Sequence, residues 1–391
     1  MSDVRALRVL SLLPVLGHPR DSKRISMLQS EGFDVQAAAF ERDYHSGRMP
    51  TCPVERLGRI GHGRYLSRLG RMMRALPRLR RLIRRSDACY ASGPDMALMG
   101  LIAGLGLGKP MVLEVGDLRR IQVSPGMSGT VMRFVDRWIV NRCALLVSTA
   151  SGFAHGYYRD RLHSRTPVLL IENKLDQAAV QALRALPPVP APRADGGKIR
   201  IGWFGVLRCP WSLDALRNLV QRHGEKFEVV IAGHVLDPVD LPTVVANTPG
   251  LSYLGEYRSP ADLPSLYGSV DMVWTVYPGP EVTNPAWRWA LLVSRSNRFY
   301  ESCFFGRPII TMADSGDGEE VARREIGLCL DSQDLDSIAC ALSRIDTVQL
   351  QSWFDALNRL PISVHSATSE STDLARAVRD AVASARGPSG E

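Results

Sequence analysis

A base and an acid stand three residues apart in the segment SNRFYESCFFGRPII, residues 296–310. At this spacing Arg298 and Glu301 would lie on one face of a helix, just before an apolar run typical of a buried strand. A guanidinium group can bind an anion, and a carboxylate can accept hydrogen bonds from hydroxyl groups. Taken alone, the two residues are also compatible with a simple ion pair on a helix surface.

A second candidate for anion binding is the segment GWFGVLRCPWSL, residues 202–213. The pattern predicts that a strand ends at Gly205, that a short loop carries Arg208, and that Ser212 caps the next helix. Amide groups at a helix N-terminus, a guanidinium and a glycine that lets a ligand approach the backbone suit a phosphate. An ordinary turn between a strand and a helix, with a surface arginine, explains the same residues equally well.

Residues 56–85 hold a concentration of arginine, eleven in all, with no acidic residue, in a chain of formal net charge +8. Apolar residues at helical spacing within this segment predict an amphipathic helix that lies on an anionic membrane surface. A solvated helix face would normally mix acids with bases, and nucleic acid is disfavoured because aromatic residues are sparse and no nucleic-acid motif is present. The predicted membrane-surface residues are Arg71, Arg74, Arg78, Arg80, Arg81, Arg84 and Arg85.

The elements that would position these residues follow the βαβ rhythm of parallel sheets. A chain of 391 residues suits two domains, and the Pro-rich segment at residues 187–197 is typical of an interdomain linker. We therefore predict an α/β protein with one Rossmann-like domain over residues 1–186 and another over 198–360. A C-terminal helix and tail, residues 361–391, would pack back on the first domain.

The composition favours a cytoplasmic protein without a bound metal. The seven cysteines are scattered without a CxxC pair, no secretory signal precedes the first predicted strand, and no stretch reaches the roughly 18 apolar residues of a spanning helix. We interpret the acidic run DSGDGEE, residues 314–320, as a loop that caps a helix beginning near Glu319 rather than as a metal site.

Together these features resemble the GT-B glycosyltransferases, and most closely the family-four-like enzymes of bacterial exopolysaccharide assembly. The likeness covers nearly the whole chain. It is carried by HPRDSKRISMLQSEGFDV (residues 18–35), VLEVGDLRR (112–120), LGEYRSPADLPSLYGSVDMVW (254–274), NPAW (284–287) and SNRFYE (296–301). The resemblance implies two Rossmann-like domains that face each other across a cleft, an acceptor domain first and a nucleotide-sugar donor domain second.

The resemblance also implies roles for individual residues. Glu301 would bind the ribose hydroxyls, since a carboxylate can accept from both hydroxyls of a cis-diol, and Arg298 and Arg208 would face the diphosphate. Asn297 would fix the turn or contact the phosphate, and Tyr257 lies where the family holds the nucleobase. The implied donor-binding residues are Gly205, Arg208, Tyr257, Asn284, Asn297, Arg298 and Glu301.

The sequence departs from the family pattern near these residues. Val293 stands where the family has the first acid of its E-x7-E pattern, and the sequence CPWS replaces the lysine usual after the GxL loop. Asn173 is followed by Lys174 where the family often has glycine. The contacts to the donor sugar are therefore expected to differ. Asp117, at the predicted end of a first-domain strand, is the candidate catalytic residue that contacts the acceptor hydroxyl; a helix cap or turn residue is the alternative.

The resemblance predicts an enzyme that transfers a sugar from a UDP-linked donor to a glycan or lipid-linked oligosaccharide in exopolysaccharide or cell-surface glycan synthesis. Two arginines and a helix N-terminus would neutralise the departing diphosphate, so neither a metal nor a further cofactor is expected. The protein would be cytoplasmic and peripheral on the inner membrane, without a nucleic-acid partner. The alternatives are a non-catalytic GT-B-like subunit, which Val293 favours, and a nucleotide-sugar 2-epimerase, which the arginine-rich face disfavours.

Overall fold

A computed structural model describes residues 5–41, 49–59, 65–186, 197–236 and 240–387, with only the backbone described for residues 65–69. The chain divides into two compact units. The first contains residues 1–172 and 369–391, and the second contains residues 173–368. The predicted linker falls almost entirely outside the described residues.

The first unit is built on a parallel sheet with the strand order β3-β2-β1-β4-β5-β6-β7 in the described part of the chain. Strands β4, β5 and β6 are buried along their whole length, because helices cover both faces of a parallel sheet. The strands are β1 Arg8–Leu13, β2 Asp34–Glu41, β3 Val54–Arg59, β4 Ala88–Ser92, β5 Met111–Val115, β6 Leu145–Ser148 and β7 Val168–Leu170.

Helices α2, α3 and α5 of the first unit pack side by side in that order. Proline at the first position of α1 and α3 suits a helix start, where a backbone N–H has no intrahelical partner. The helices are α1 Pro19–Ser30, α2 Tyr65–Arg85, α3 Pro94–Ala103, α4 Arg120–Val123, α5 Met127–Val140 and a π-helix at Phe153–Arg161.

The second unit has a parallel sheet with the order β10-β9-β8-β11-β12-β13 among the described residues. Its strands are β8 Ile199–Leu207, β9 Phe227–Val235, β10 Leu251–Tyr253, β11 Met272–Trp274, β12 Ile309–Met312 and β13 Gly327–Leu330. Its helices are α6 Gln177–Arg184, α7 Pro210–His223, α8 Leu241–Ala246, α9 Leu263–Gly268, α10 Pro285–Leu292, α11 Asn297–Phe304, α12 Gly316–Arg324, α13 Leu335–Ser343 and α14 Thr347–Asn358, followed by a 3-10 turn at Ile362–Val364.

The last helix, α15 Glu370–Arg386, belongs to the first unit and contacts α1. Leu374 and Val378 of α15 join the core that contains Ile25 of α1, and the Arg379 guanidinium lies 4.9 Å from the centroid of the Phe33 ring. The unit boundaries differ from those predicted, since residues 173–186 and 361–368 group with the second unit.

Two local predictions are corrected by the structure. Residues 56–59, predicted to begin the amphipathic helix, end strand β3 instead, and residues 60–64 lie outside the described part. Helix α12 begins at Gly316, not near Glu319, because the Ser315 side chain accepts a hydrogen bond from the Gly318 amide and caps the helix there.

Candidate functional site

The sheet of the second unit reverses its strand order between β8 and β11, so the chain leaves these neighbouring strands in opposite directions. In open α/β sheets, ligands bind at such a switch point, beyond the carboxyl ends of the strands. Arg208 follows β8 and Tyr277 follows β11. The Arg208 guanidinium lies 4.6 Å from the centroid of the Tyr277 ring, so a cation is held at the switch point.

The charge of Arg298 also acts electrostatically on Tyr277. Burial raises the pKa of Tyr277, and the positive charges of Arg208 and Arg298 oppose that shift. Apart from the contact of Arg208 with the ring, neither guanidinium has a hydrogen-bond or ion-pair partner in the part of the chain that the structure describes. Two cations without a carboxylate partner at a switch point are suited to an anion with several charged oxygens.

Glu301 lies one turn along α11 from Arg298 and points into the protein, since it is only 9% exposed. Its Oε2 atom accepts a hydrogen bond from the hydroxyl of Tyr267 at 2.8 Å. Burial and the negative charge of Glu301 raise the pKa of Tyr267, so the phenol stays protonated and donates. The structure records no ion pair between Glu301 and Arg298 among its described residues. The two residues are therefore not the surface pair that the spacing alone allowed.

Two glycines open the backbone at the carboxyl edge of β8 and β9. Gly205 and Gly233 are paired in register and have φ values of +108° and +137°. A Cβ atom on Gly233 would collide with the carbonyl oxygen of Gly205, whereas a Cβ on Gly205 would meet only the Tyr257 hydroxyl, at 3.9 Å. Burial, followed by the charge of Glu301, raises the pKa of Tyr257. Tyr257 therefore lies close to both Gly205 and Glu301.

A buried carboxylate fixes the start of α11. The Ser296 hydroxyl accepts from the Phe299 amide and donates to Asp317 Oδ2 at 2.7 Å, and the Ser296 amide donates to Asp317 Oδ1 at 3.2 Å. Burial raises the pKa of Asp317 to about 6, and its bonds with Ser296 and the charges of Arg295 and Arg298 oppose the shift. Asp317 thus holds the first turn of the helix that carries Arg298 and Glu301.

The cap of α7 differs from the prediction. Cys209 is the capping residue, and its sulfur accepts from the Ser212 amide at 3.4 Å. Ser212 is fully buried in the first turn, where its hydroxyl donates to the Val276 carbonyl at 3.3 Å. Burial raises the pKa of Cys209 to about 11, so the thiol stays protonated.

The chain resembles known proteins of glycan synthesis in sequence. Residues 25–174 match the family described as "Glycosyl transferase 4-like domain". The chain is 30% identical over 349 residues to the succinoglycan biosynthesis protein ExoL of Rhizobium meliloti (strain 1021), and the match covers 86% of this chain and 84% of that protein. The chain belongs to the glycosyl transferase 4-like family. It is a glycosyltransferase of the GT-B fold.

Solved structures share the fold at lower sequence identity. The crystal structure of HepE from Anabaena in complex with UDP-glucose has a TM-score of 0.63 and 16% identity, over 96% of this chain and 99% of that chain. The UDP-GlcNAc 2-epimerase of Methanocaldococcus jannaschii has a TM-score of 0.55 and 11% identity, over 95% of this chain and 99% of that chain. At these identities the likeness concerns the fold alone.

Two further residues of the glycosyltransferase's predicted donor site, and the position where an acid was expected, lie at the ends of α10 and at the start of α11. Asn284 caps α10, since its side-chain oxygen accepts from the Trp287 amide at 2.9 Å. Asn297 is exposed at the first position of α11. Val293, where an acid was expected, ends α10, and its carbonyl lies against Gly316 at the start of α12.

Asp117 follows β5 in the first unit of the glycosyltransferase. Its side chain is 79% exposed, and its Oδ2 lies 3.4 Å from Nη1 of Arg20. It is not a helix cap, because α4 is preceded by Arg119. Arg20 also approaches Glu114, which is buried and accepts from Arg24 Nε at 2.9 Å.

Sequence patterns did not identify Asp21, because nothing in them shows that this acid in the first turn of α1 is buried. It is 3% exposed, and neither carboxylate oxygen makes a hydrogen bond of normal geometry among the described residues. Burial and the negative charge of Glu114 raise its pKa to about 7, while Arg20, Ser92 and Arg24 oppose the shift. Asp21 and Glu114 are thus two buried acids that repel each other, and of the two only Glu114 forms an ion pair with an arginine among the described residues.

The basic segment forms α2, and most of its predicted surface arginines are exposed. Arg80 is the exception, since it is half-buried and its Nη1 donates to the carbonyls of Ala103 at 2.9 Å and Leu105 at 2.8 Å. Arg80 therefore anchors α2 to the end of α3 rather than facing a membrane. The exposed members are Arg71, Arg74, Arg78, Arg81, Arg84 and Arg85.

The described residues contain neither a metal-binding cluster nor a helix that could span a membrane. They contain no group of three or more His, Cys, Asp or Glu side chains placed to hold a metal ion. Within the same residues, every helix is too short or too polar to cross a bilayer. In the acidic run at 314–320, Asp317 bonds Ser296, and Glu320 pairs with Arg323 and Arg324 at 2.6 and 2.7 Å.

Proposed function

We propose that this glycosyltransferase moves a sugar from a UDP-sugar to a glycan or lipid-linked oligosaccharide during exopolysaccharide synthesis, without a metal ion. The proposal draws on two relatives. One is named a succinoglycan biosynthesis protein, and another was solved with UDP-glucose. The observation that carries the proposal is the pair of arginines, Arg208 and Arg298, without a carboxylate partner among the described residues at the switch point of the second sheet.

The chemistry asked of these residues is stabilisation of a leaving group. When the bond from the sugar to the diphosphate breaks, negative charge builds up on the departing diphosphate. Arg208 and Arg298 would neutralise that charge at fixed positions, with no reorganisation at the moment of reaction. The opened backbone at Gly205 would let the ligand approach the strand end.

Glu301 would recognise the nucleoside. Its carboxylate is oriented by the hydroxyl of Tyr267, which occupies Oε2 at 2.8 Å. A carboxylate can accept from both hydroxyls of a cis-diol, so Glu301 would bind the two hydroxyls of the ribose. Tyr257, beside Glu301, would border the nucleobase.

The acceptor is proposed to bind the first unit, with Asp117 contacting its hydroxyl. Since Asp117 is 79% exposed, an incoming sugar could reach it without movement of the chain. The exposed arginines of α2 would hold the enzyme against anionic lipid, where a lipid-linked acceptor resides. The enzyme would then act as a peripheral protein on the cytoplasmic face of the membrane.

Transfer from radiolabelled UDP-sugars to membrane lipid extracts tests this function. We expect label in the lipid fraction, and we expect the activity to persist in EDTA. Glu301→Ala should weaken binding of UDP by about ten-fold or more, because hydrogen bonds to a charged group each contribute roughly 1.5–3 kcal/mol. Glu228→Ala, at an exposed ion pair with Lys198, is the matched control.

Two outcomes would contradict the proposal. Unchanged UDP affinity in a folded Glu301→Ala protein would remove Glu301 from the donor site. Loss of activity in EDTA that Mg²⁺ restores would show that the arginines alone do not neutralise the diphosphate.

A further inference from the structure

Helix α5 carries an apolar stripe that faces solvent. Met127 is 86% exposed, Val131 62% and Phe134 70%. Their spacing, with Trp138 four residues further on, places all four side chains on one face of the helix. Trp138 is half-buried, and the Arg142 guanidinium lies over its ring at 4.1 Å from the centroid. Exposed apolar residues that cluster in this way mark an interaction surface more often than isolated ones do.

This stripe is separate from the face that holds α5 in the fold. The buried residues of the helix are Gly129, Asp136, Ile139 and Val140. The preceding helix α4, which contacts α5, adds one more exposed apolar side chain, Ile121, at 39%. The stripe can therefore change without removing a core contact.

The neighbouring helices α3 and α2 also expose apolar side chains. Helix α3, between α5 and α2, exposes Ile102 at its end and is followed by Leu105, which is 66% exposed. Helix α2 exposes Met73 at 56% among its arginines. The layer formed by α2, α3 and α5 thus presents apolar side chains together with guanidinium groups.

No exposed acid interrupts this layer in the described helices. The sequence of α2 contains none. Asp95 of α3 is half-buried and pairs with Arg119 at 2.8 Å. Asp136 of α5 is buried and accepts from Gln122 at 2.8 Å and from Tyr157 at 2.7 Å.

We propose that the α5 stripe, Met127, Val131, Phe134 and Trp138, inserts into the interfacial region of an anionic lipid bilayer. Exposed apolar side chains beside arginines are the pattern of interfacial helices, which bind by apolar burial together with attraction to anionic lipid. Trp138 under the Arg142 guanidinium pairs an amphipathic ring with a cation, as at membrane interfaces. The inference extends the membrane docking proposed above from α2 to a second helix.

Charge favours a bilayer over a second copy of the chain. A second copy that covered the whole layer would place its own arginines against this one, without exposed acids in the described helices of the layer to pair with them, and like charges repel. A bilayer that contains phosphatidylglycerol offers both an apolar interior for the stripe and phosphates for the arginines. The arginines would then bind by electrostatic attraction, which salt weakens, and the stripe would bind by apolar burial, which salt does not weaken.

Vesicle binding of the full-length protein tests the inference. The probes are vesicles of phosphatidylcholine with and without phosphatidylglycerol. In the stripe variant, Met127→Gln, Val131→Gln and Phe134→Gln are combined, since glutamine keeps a high helix propensity. We expect its partitioning onto anionic vesicles to fall about ten-fold or more, with an unchanged melting temperature. Val348→Gln, at another exposed apolar position, 76% exposed, is the matched control and should bind as the wild type does.

A second variant separates the two parts of the surface. Arg78→Glu combined with Arg81→Glu should reduce the dependence of binding on salt, whereas the stripe variant should keep the wild-type dependence. Hydrogen exchange of the wild-type protein should show protection of residues 127–138 on anionic vesicles. Wild-type binding by the stripe variant would overturn the inference. The inference would also be overturned if the wild-type protein were a dimer and the stripe variant were a monomer that still bound vesicles as the wild type does.

The membrane inference and the proposed function can fail independently, and different measurements show which of them has failed. If the stripe does not enter lipid, UDP binding and transfer to a detergent-solubilised acceptor remain as in the wild type. If the proposed transfer is wrong, no label reaches any acceptor, although the vesicle binding stands.

Discussion

The two sheets place arginines at their carboxyl edges in opposite electrostatic settings. In the first unit, Arg24 pairs with the buried Glu114 at 2.9 Å, and Arg20 lies 3.9 Å from the same carboxylate. In the second unit, Arg208 and Arg298 have no carboxylate partner among the described residues. The first edge neutralises its own charge, whereas the second keeps positive charge available for a ligand. Under the proposed function, this placement of acids leaves the second sheet as the one that binds the diphosphate.

The largest expected effect follows from breaking the compensation in the first unit. Glu114→Ala would leave Arg24, 2% exposed, without its carboxylate. Removing one partner of a buried ion pair typically costs about 3–5 kcal/mol, because the other charge stays buried and uncompensated. We expect a loss of this size in the free energy of unfolding, measured by urea denaturation and by hydrogen exchange of the β5 amides.

Asp117→Ala is the control for that experiment. Its carboxylate also pairs with an arginine, but it is 79% exposed, and exposed pairs contribute about 0–1 kcal/mol. Equal, small losses in both variants would mean that the buried pair contributes no more than a surface pair.

The second prediction concerns pH. The pKa of Asp21 in the folded protein is raised from 3.8 to about 7. The folded state therefore keeps a proton that the unfolded chain has lost, and the stability of the first unit should fall as the pH rises from about 4 to about 7. A shift of this size corresponds to roughly 4 kcal/mol at most, since each pKa unit is 1.36 kcal/mol. Urea denaturation at a series of pH values measures it.

Asp21→Asn tests the assignment. The amide cannot ionise, so the variant should lose most of the decline between pH 4 and 7 and should be more stable than the wild type above pH 7. A decline that persists unchanged in this variant would assign the titration to another group.

Sequence patterns predicted the helices and strands well where the signals are local. The helix predicted to carry Arg298 and Glu301 is α11, and the Ser296 side chain caps it by accepting a hydrogen bond from the Phe299 amide. The strand predicted before Arg208 is β8, which continues past the predicted end at Gly205 to Leu207. The family resemblance and the fold class are confirmed.

The neighbours of the site could not be predicted, because they come from distant segments. Tyr267, which binds Glu301, and Tyr277, which lies under Arg208, carry no motif. Asp317 was part of an acidic run that indicated only an exposed helix start, whereas its burial depends on the packing of α12 against Ser296. Such contacts follow from tertiary structure, and spacing along the chain does not encode them.

The third prediction concerns Arg298, one of the two arginines without a carboxylate partner among the described residues. Arg298→Ala should lower kcat about 100-fold, since removing one group that stabilises transition-state charge typically costs 10²–10³ in rate. The melting temperature should hardly change, because Arg298 has no ion pair or hydrogen bond to lose within the described structure. Sugar transfer at saturating UDP-sugar measures the first effect, and thermal unfolding measures the second.

Arg20→Ala in the first unit sharpens the comparison, because the removed group is again a partly exposed arginine at the carboxyl edge of a sheet. Its charge is already balanced by Glu114 and Asp117, so UDP affinity should stay as in the wild type. Arg217→Ala, which loses only a surface pair with Asp214, gives the baseline for both. If Arg20→Ala weakened UDP binding, anion binding would not be confined to the second sheet, and the contrast between the two edges would have no functional meaning.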